Sequence, residues 1–180
     1  MGLKQSLIEM KTSILERWSH LILETYPEES AQLIGKERDR FVNPVGVTLS
    51  EGMEALYEGL LQGVETDQLS GPLGKILQIR SVQDFSPSRA VVIVSLLKKT
   101  LQEEMKGNKI EMNGMIEEWF DLESRIDQLS LMAFDIYTTY RERIHEIRLK
   151  EVKEQRDRAF QLLERTNSKA KYRDPETSSG

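Results

Sequence analysis

The sequence predicts an all-α protein, on three observations. Apolar residues recur at spacings of three and four along most of the chain, which places them on one side of a helix. No stretch alternates apolar and polar residues with the period of two that a half-buried strand requires. The pairs Asn43-Pro44 and Ser86-Pro87 join a good N-cap residue to a proline that suits the first helical position, so each should begin a helix.

Six helices are expected, over residues 3–26, 28–34, 44–63, 72–83, 87–106 and 115–166. Gly52 and Gly59 lie seven residues apart and therefore share one face of the third helix, where they favour close approach of another helix. The inward side of the fourth helix is expected to hold Leu73, Ile76, Leu77, Ile79 and Val82. Five aromatic residues at helical spacing are expected in the core: Trp18, Trp119, Phe120, Phe134 and Tyr137.

The last expected helix carries two apolar seams. The first consists of Ile126, Leu129, Ala133, Ile136, Tyr140, Ile144 and Ile147. The second keeps the same spacing at Leu149, Val152, Arg156, Ala159 and Leu163. Tyr140 and Leu149 are nine residues apart, which is about 180° around a helix of 3.6 residues per turn.

A helix with such opposed seams is expected to leave its domain and pack elsewhere, as a coiled coil does. We therefore predict a helical domain over residues 1–150 and a protruding, coiled-coil-like interaction segment over residues 148–166. A disordered tail is predicted over residues 167–180. The second seam supplies the only predicted site residues, and they are interaction residues in a homodimer or with a protein partner.

Composition narrows the function classes. The chain of 180 residues has a net charge of −5, which does not point to nucleic acid. It contains no cysteine, so disulfides and thiolate metal sites are excluded. Its longest apolar run, residues 90–94, is far shorter than a membrane span, and charged residues interrupt the N-terminus where a signal peptide would be apolar. The expected location is the cytoplasm of a bacterium or an archaeon.

The residues that carry chemistry form no catalytic pattern. Neither a nucleophile-elbow motif nor a phosphate-binding glycine loop occurs. Glu142 and His145 form half of a di-iron carboxylate pattern, and the other half is missing. Glu16, His20 and Glu24 have a spacing that could hold a metal, but they fall on the polar side of their helix, where solvated residues are the simpler interpretation. No catalytic, cofactor-binding or metal-binding residue is predicted, and we expect no enzyme.

Three stretches resemble one known family. They are RWSHLILETYP (residues 17–27), RFVNPVG (residues 40–46) and IRSVQDFSPSRAV (residues 79–91). In this order and spacing they are similar to the RsbRD N-terminal domain family, the sensory input domain of RsbT co-antagonist proteins. The resemblance covers roughly residues 5–150.

The resemblance implies a globin-like helical input domain without haem. Such domains dimerise and pass a signal along an exiting helix to a phosphorylatable STAS domain within the stressosome. Residues 73–83 contain no histidine that could serve as a proximal haem ligand, so no cofactor is expected. No STAS domain follows the last helix, so we expect this chain to act through another protein or by self-association.

Three functions remain open at this point. The first is a signalling or regulatory module that works by protein–protein contact. The second is an accessory or structural subunit of a larger complex, for example a redox or electron-transfer complex. The third is a small-ligand sensor with a pocket among the central helices.

Overall fold

The computed structural model describes residues 2–36, 41–83, 85–110 and 114–171. These residues form seven α-helices and one short 3₁₀ helix, and no strand occurs among them, which confirms the all-α prediction. The elements are α1 (Leu3–Glu9), α2 (Lys11–Leu23), α3 (Glu28–Lys36), α4 (Pro44–Gln62), the 3₁₀ helix (Thr66–Leu69), α5 (Ser70–Val82), α6 (Pro87–Gly107) and α7 (Ile116–Lys171).

The chain divides into two compact units, Met1–Arg141 (unit 1) and Glu142–Gly180 (unit 2). Helix α7 is long, as predicted, and continues to Lys171 rather than ending near residue 166. The remainder of the predicted tail, residues 172–180, lies outside the described residues. The globin-like arrangement implied by the resemblance stays a prediction. No helix in the described part of the chain is both long and apolar enough to cross a bilayer.

The first expected helix is two helices, which corrects the prediction of one helix over residues 3–26. The backbone departs from helical geometry at Met10, with φ −90° and ψ 7°. The Met10 carbonyl accepts a hydrogen bond from the Ser13 hydroxyl at 3.0 Å, a local bond of the kind that competes with regular helix geometry. Both pieces bury apolar residues in the core: Leu3 and Leu7 from α1, and Ile14, Trp18 and Ile22 from α2.

Both predicted caps form. The Asn43 side chain accepts from the Gly46 amide at 2.9 Å and so satisfies an amide at the start of α4. The same side chain donates to the Ile34 carbonyl at 2.6 Å, which fastens α3 to α4. The exposed Ser86 hydroxyl accepts from the Arg89 amide at 3.4 Å, a longer bond. Asn43 therefore has a tertiary role in addition to its role as a cap.

Helix α4 is closely packed at its two glycines, as their spacing indicated, against α5 at Gly52 and against the 3₁₀ helix at Gly59. A Cβ at Gly52 would lie 2.8 Å from Cγ1 of Ile76, and one at Gly59 would overlap the Leu69 side chain. Both contacts would be closer than two carbon atoms tolerate, so the neighbouring side chain would have to move. Each glycine lowers the helix propensity of α4, and its missing side chain lets the neighbouring element approach α4 closely.

The buried side of α5 agrees with the prediction except toward the end of the helix, where Ile79 is half-buried and Val82 is exposed. Leu73, Ile76 and Leu77 are buried as expected, but Val82 is 61% exposed. At about 100° per residue, the face that contains Leu73 and Leu77 continues to position 80, whereas position 82 lies on the opposite side. Arg80 consequently takes the buried place, with no exposed surface.

Polar groups that enter the core of unit 1 find backbone partners. The Trp18 indole donates to the Ile93 carbonyl at 2.8 Å, and the Tyr57 hydroxyl donates to the Leu7 carbonyl at 2.7 Å. Burial raises the pKa of Tyr57 well above its ordinary value. Arg125 donates to the carbonyls of Leu60 and Val64, both at 2.6 Å, and so satisfies acceptors at the end of α4.

We predict that Gly52→Ala destabilises the protein although alanine is the better helix former. The new methyl must displace Ile76, and overpacking of this kind typically costs about 1–3 kcal/mol, against a gain in propensity of about 1 kcal/mol. Gly71→Ala is the matched control, because no atom lies within 4 Å of its added Cβ. Thermal melting should show a lower Tm for Gly52→Ala and an unchanged or higher one for Gly71→Ala. Equal effects would contradict the close packing.

Asn43→Ala is expected to lower the free energy of unfolding by about 2 kcal/mol, because it removes a cap and a hydrogen bond to α3. Asn43→Asp keeps the acceptor for the Gly46 amide but sets a carboxylate oxygen against the Ile34 carbonyl in place of the donor, so at least half of that loss should remain. Urea denaturation of the two variants measures the difference. An aspartate variant as stable as the original protein would show that the bond to Ile34 contributes nothing.

Candidate functional site

The five predicted interaction residues all lie on the part of α7 that belongs to unit 2, and all are exposed. We call them the unit 2 stripe: Leu149, Val152, Arg156, Ala159 and Leu163. Leu149 and Leu163 are each 60% exposed and Val152 is 62% exposed. Their three-and-four spacing places the five side chains on one side of the helix.

Phe160, which the sequence analysis did not select, borders the unit 2 stripe and is 58% exposed. It follows Arg156 by four residues and precedes Leu163 by three, so its spacing carried the signal. Arg156 itself is held at the edge of the stripe. Its Nε and Nη2 atoms donate to the Asp157 carboxylate at 3.1 and 3.0 Å.

Ile147, predicted to close the first seam, is 53% exposed. It precedes Leu149 by two residues, about 200° around the helix, and therefore lies nearly opposite the unit 2 stripe. Unit 2 thus exposes an apolar residue on each side, but only one side repeats.

Unit 1 also exposes an apolar face on its own part of α7. Its members, called the unit 1 outer face, are between 48% and 72% exposed: Ile116, Phe120, Leu131 and Phe134. This corrects the expectation that Phe120 and Phe134 are core residues, whereas Trp18, Trp119 and Tyr137 are buried as expected. The outer residues share helical spacing, but they lie about 120° from the side that packs into unit 1, so the same periodicity could not assign them.

The most unusual group in unit 1 is the guanidinium of Arg80, which has no exposed surface. It lies 4.1 Å from the centroid of the Phe85 ring and 5.0 Å from that of Tyr26. Its Nη2 atom donates to Thr25 Oγ1 at 3.0 Å and to the Arg89 carbonyl at 2.7 Å. These contacts join the segment after α2 to the end of α5 and the start of α6. We call these five residues the Arg80 cluster.

The Arg80 cluster buries a positive charge, and no carboxylate of the part of the chain that the structure describes is hydrogen-bonded to it. Among the described residues, Nε and Nη1 of Arg80 and the hydroxyl of Tyr26 have no hydrogen-bond partner. Burial lowers the pKa of Arg80, and the nearby Tyr26 opposes that shift. Burial likewise raises the pKa of Tyr26, against the effect of Arg80. Attraction to the two aromatic rings and the two hydrogen bonds of Nη2 together compensate for the lost hydration.

Further bonds connect the Arg80 cluster to α7 within unit 1. The Tyr137 hydroxyl donates to the Phe85 carbonyl. Arg141 donates to the Ser81 carbonyl at 3.1 Å. Arg89 returns to the segment after α2, where its Nη2 donates to the Thr25 carbonyl at 2.9 Å. The loop between α5 and α6 is therefore fixed both to the end of α2 and to α7.

The Arg80 cluster is assembled from two of the three stretches that carry the family resemblance. Thr25 and Tyr26 belong to the first stretch, and Arg80, Phe85 and Arg89 belong to the third. The second stretch supplies Asn43, the cap of α4. Sequence reasoning did not select Arg80, because nothing local distinguishes a buried arginine from a solvated one.

An open cleft of about 730 Å³ lies between α2, α3 and α4 in unit 1. Apolar side chains such as Leu15, Leu23 and Met53 line it. Lys11 stands at its rim, paired with Glu54 at 2.5 Å and Glu58 at 2.6 Å, and these carboxylates raise the pKa of Lys11. The cleft has the size of a small-molecule site. The ammonium of Lys11 at its rim is already paired with two carboxylates of the protein.

The two histidines, His20 and His145, are both exposed. His20 lies 3.3 Å from Glu24 on α2, and its side chain is 74% exposed. His145 is exposed in unit 2. Among the described residues, no three histidine, aspartate or glutamate side chains lie close enough together to bind a metal ion. Glu16, His20 and Glu24, whose spacing could have held a metal, therefore do not form such a group.

Arg80→Lys is expected to lower the free energy of unfolding by about 2–3 kcal/mol, because an ammonium cannot donate to both acceptors while covering the Phe85 ring. Arg80→Met should cost less, since it removes the buried charge itself and leaves only the Thr25 hydroxyl and the Arg89 carbonyl without this donor. Exposed Arg17, paired with Glu103 at 2.6 Å, gives the control Arg17→Lys, which should change stability by less than about 0.5 kcal/mol. Chemical denaturation ranks the three variants. A lysine variant that unfolds at the same denaturant concentration as the original protein would contradict the role of the cluster.

Comparison with known proteins gives one family. The family model described as the RsbT co-antagonist protein rsbRD N-terminal domain matches residues 12–152. No curated protein and no solved structure matches the chain. The matched residues comprise most of the chain, including all of the Arg80 cluster and the Asn43 cap, and they confirm the resemblance drawn from the three stretches. The chain belongs to the RsbT co-antagonist protein rsbRD N-terminal domain family.

Proposed function

We propose that this protein is a non-catalytic regulatory module of the stressosome type that acts by protein–protein contact. Membership of the RsbRD N-terminal domain family supports a signalling role. The observation that carries the contact mechanism is the exposed unit 2 stripe. In this proposal unit 1 receives the signal and the unit 2 stripe makes a contact in a homodimer. A cytoplasmic location, expected from the sequence, remains part of the proposal.

Association through the unit 2 stripe would remove exposed apolar side chains from water. Leu149, Val152 and Leu163 are each about 60% exposed on a helix that is otherwise rich in charged residues. Apolar surface of this kind gains about 25 cal/mol per Å² when a partner covers it. A helix without tertiary contacts is also only marginally stable, so packing against a second helix would stabilise the helical state of unit 2. Both effects favour association through the stripe.

The Arg80 cluster supports a role for unit 1 in signal transmission. Phe85 of the cluster accepts from Tyr137, and Ser81, next to Arg80 in the chain, accepts from Arg141; both donors lie in the last turns of α7 within unit 1. A buried cation that keeps two unsatisfied nitrogens is a costly arrangement. A rearrangement that exposes Arg80 to water would recover hydration and release the bonds to α7. In this proposal the buried and the exposed arrangement of Arg80 are the two states between which the signal shifts the balance.

A second candidate is the small-ligand sensor, and the cleft between α2, α3 and α4 favours it. Its volume of about 730 Å³ suits a small molecule, and its apolar lining suits a largely apolar one. Native mass spectrometry of the purified protein tests this candidate, because a retained ligand would add a discrete mass. The third alternative, an accessory or structural subunit of a redox or other complex, has no specific observation in its favour.

Leu149→Ser tests the proposed contact. If the unit 2 stripe is an interface, the dissociation constant of the dimer should rise at least about tenfold, since each leucine loses roughly 1.5 kcal/mol or more of burial and 1.4 kcal/mol corresponds to tenfold. Sedimentation equilibrium measures the constant.

Ile147→Ser is the matched control, an exposed apolar residue of the same helix segment that lies nearly opposite the stripe. It should leave the dissociation constant within about twofold of the original value, the scale of ordinary surface substitutions. The melting of unit 1 should be unchanged in both variants. Equal effects at the two positions, or a monomer in the unaltered protein, would count against the proposed contact.

A further inference from the structure

The cleft between α2, α3 and α4 has an apolar lining that comes from two helices. Leu15 and Leu23 belong to α2, and Leu49 and Met53 belong to α4. At the α3 end of the cleft, a Cβ on Gly35 would lie 3.3 Å from Cδ1 of Leu23, so α3 approaches α2 closely there. Such a lining suits the apolar part of a small molecule, which would leave water on entering the cleft.

The charged groups around the cleft are mainly carboxylates. Among the described residues its lining includes Glu16, Glu51 and Glu54, but Lys11 is the only lysine or arginine there. The ammonium of Lys11 is paired with Glu54 at 2.5 Å, so it is not available to an anionic ligand. The electrostatic character of the cleft therefore favours a cationic group over an anionic one.

Glu16 is the carboxylate of this lining that a ligand can reach without breaking an ion pair. It is exposed on α2, between Leu15 and Ser19 on the side that borders the cleft. His20, one turn further along α2, lies 3.3 Å from Glu24 instead. Within the residues that the structure describes, the Glu16 side chain takes part in no ion pair or hydrogen bond. An ammonium group beside it would gain a charged partner.

From this combination of apolar lining and available carboxylate, we propose that the cleft binds a small amphiphilic cation, an apolar chain or ring that ends in an ammonium group. The apolar part would cover Leu15, Leu23 and Met53, and the ammonium would lie beside Glu16, with the Ser19 hydroxyl as a further acceptor. The volume of about 730 Å³ suits a ligand of this size. The inference rests on the second proposed function, the small-ligand sensor, to which it adds the chemical class of the ligand.

Three probes with the same alkyl chain test the class of ligand: octylammonium, octanol and octanoate, each below the concentration at which it forms micelles. Isothermal titration calorimetry of the full chain at neutral pH measures their dissociation constants. Octylammonium should bind at least about tenfold more tightly than octanoate, because the carboxylates attract the first head group and repel the second. Octanol should bind with intermediate affinity. Equal affinity for all three probes would overturn the preference for a cation.

Glu16→Gln should weaken the binding of octylammonium about threefold, the scale of a partly exposed ion pair, and should leave octanol unaffected. Glu151→Gln is the matched control, because it removes the same charge from an exposed residue of unit 2 that does not line the cleft. It should leave the affinity for octylammonium unchanged. An equal loss in both variants would show attraction to the net charge of the protein and would overturn the role of Glu16.

Ser19→Trp tests the place of binding, because the indole would fill part of the cleft and should abolish the binding of every probe. Thermal melting shows whether this variant is folded, and Glu16→Gln decides the matter if it is not. Unchanged binding to folded Ser19→Trp would put the probes elsewhere and overturn the site. Failure of all three probes to bind the original protein would also overturn the inference. In that case a ligand retained in native mass spectrometry would preserve the sensor function, and its absence would remove that function as well.

Discussion

The burial of the Arg80 guanidinium is the constraint on which the packing of unit 1 depends. A charge with no exposed surface must be compensated locally, and two aromatic faces and two oxygen acceptors provide the compensation. Those partners come from the end of α2, the loop before α6 and the first turn of α6. The charge can be accommodated only when all three segments are in place, so it couples elements that are distant in sequence.

Helix α7 has a buried side and an exposed apolar side within unit 1. In unit 1 one side of α7 is buried, with Ile126, Ala133 and Tyr137 entirely or almost entirely removed from solvent. The other side exposes large apolar residues, Leu131 at 72% among them. In unit 2 the exposed apolar residues form the unit 2 stripe on a highly charged helix. Apolar surface of this kind is characteristic of proteins that function in contact with others, which is consistent with a regulatory family.

Much of the fold could be predicted because the signals that determine it are local. Apolar spacing located most helices, and the Asn43-Pro44 and Ser86-Pro87 pairs gave the starts of α4 and α6. Gly52 and Gly59 indicated the close packing of α4. The break at Met10 was missed, because the apolar spacing continues across it. The residues of the unit 2 stripe were found for the same local reason, although their role as an interface stays a prediction.

The sequence by itself determined the helical class, the capped starts of two helices, the family and the position of the repeating stripe, since each depends on residues close together in the chain. The tertiary structure decided which side of each helix is buried. It placed Arg80 inside and Val82 outside, and it left Phe120 and Phe134 exposed although their spacing matches that of core aromatics. The physical reason is that periodicity defines a face, whereas only the partners of that face, brought together from distant segments, decide whether it meets protein or water.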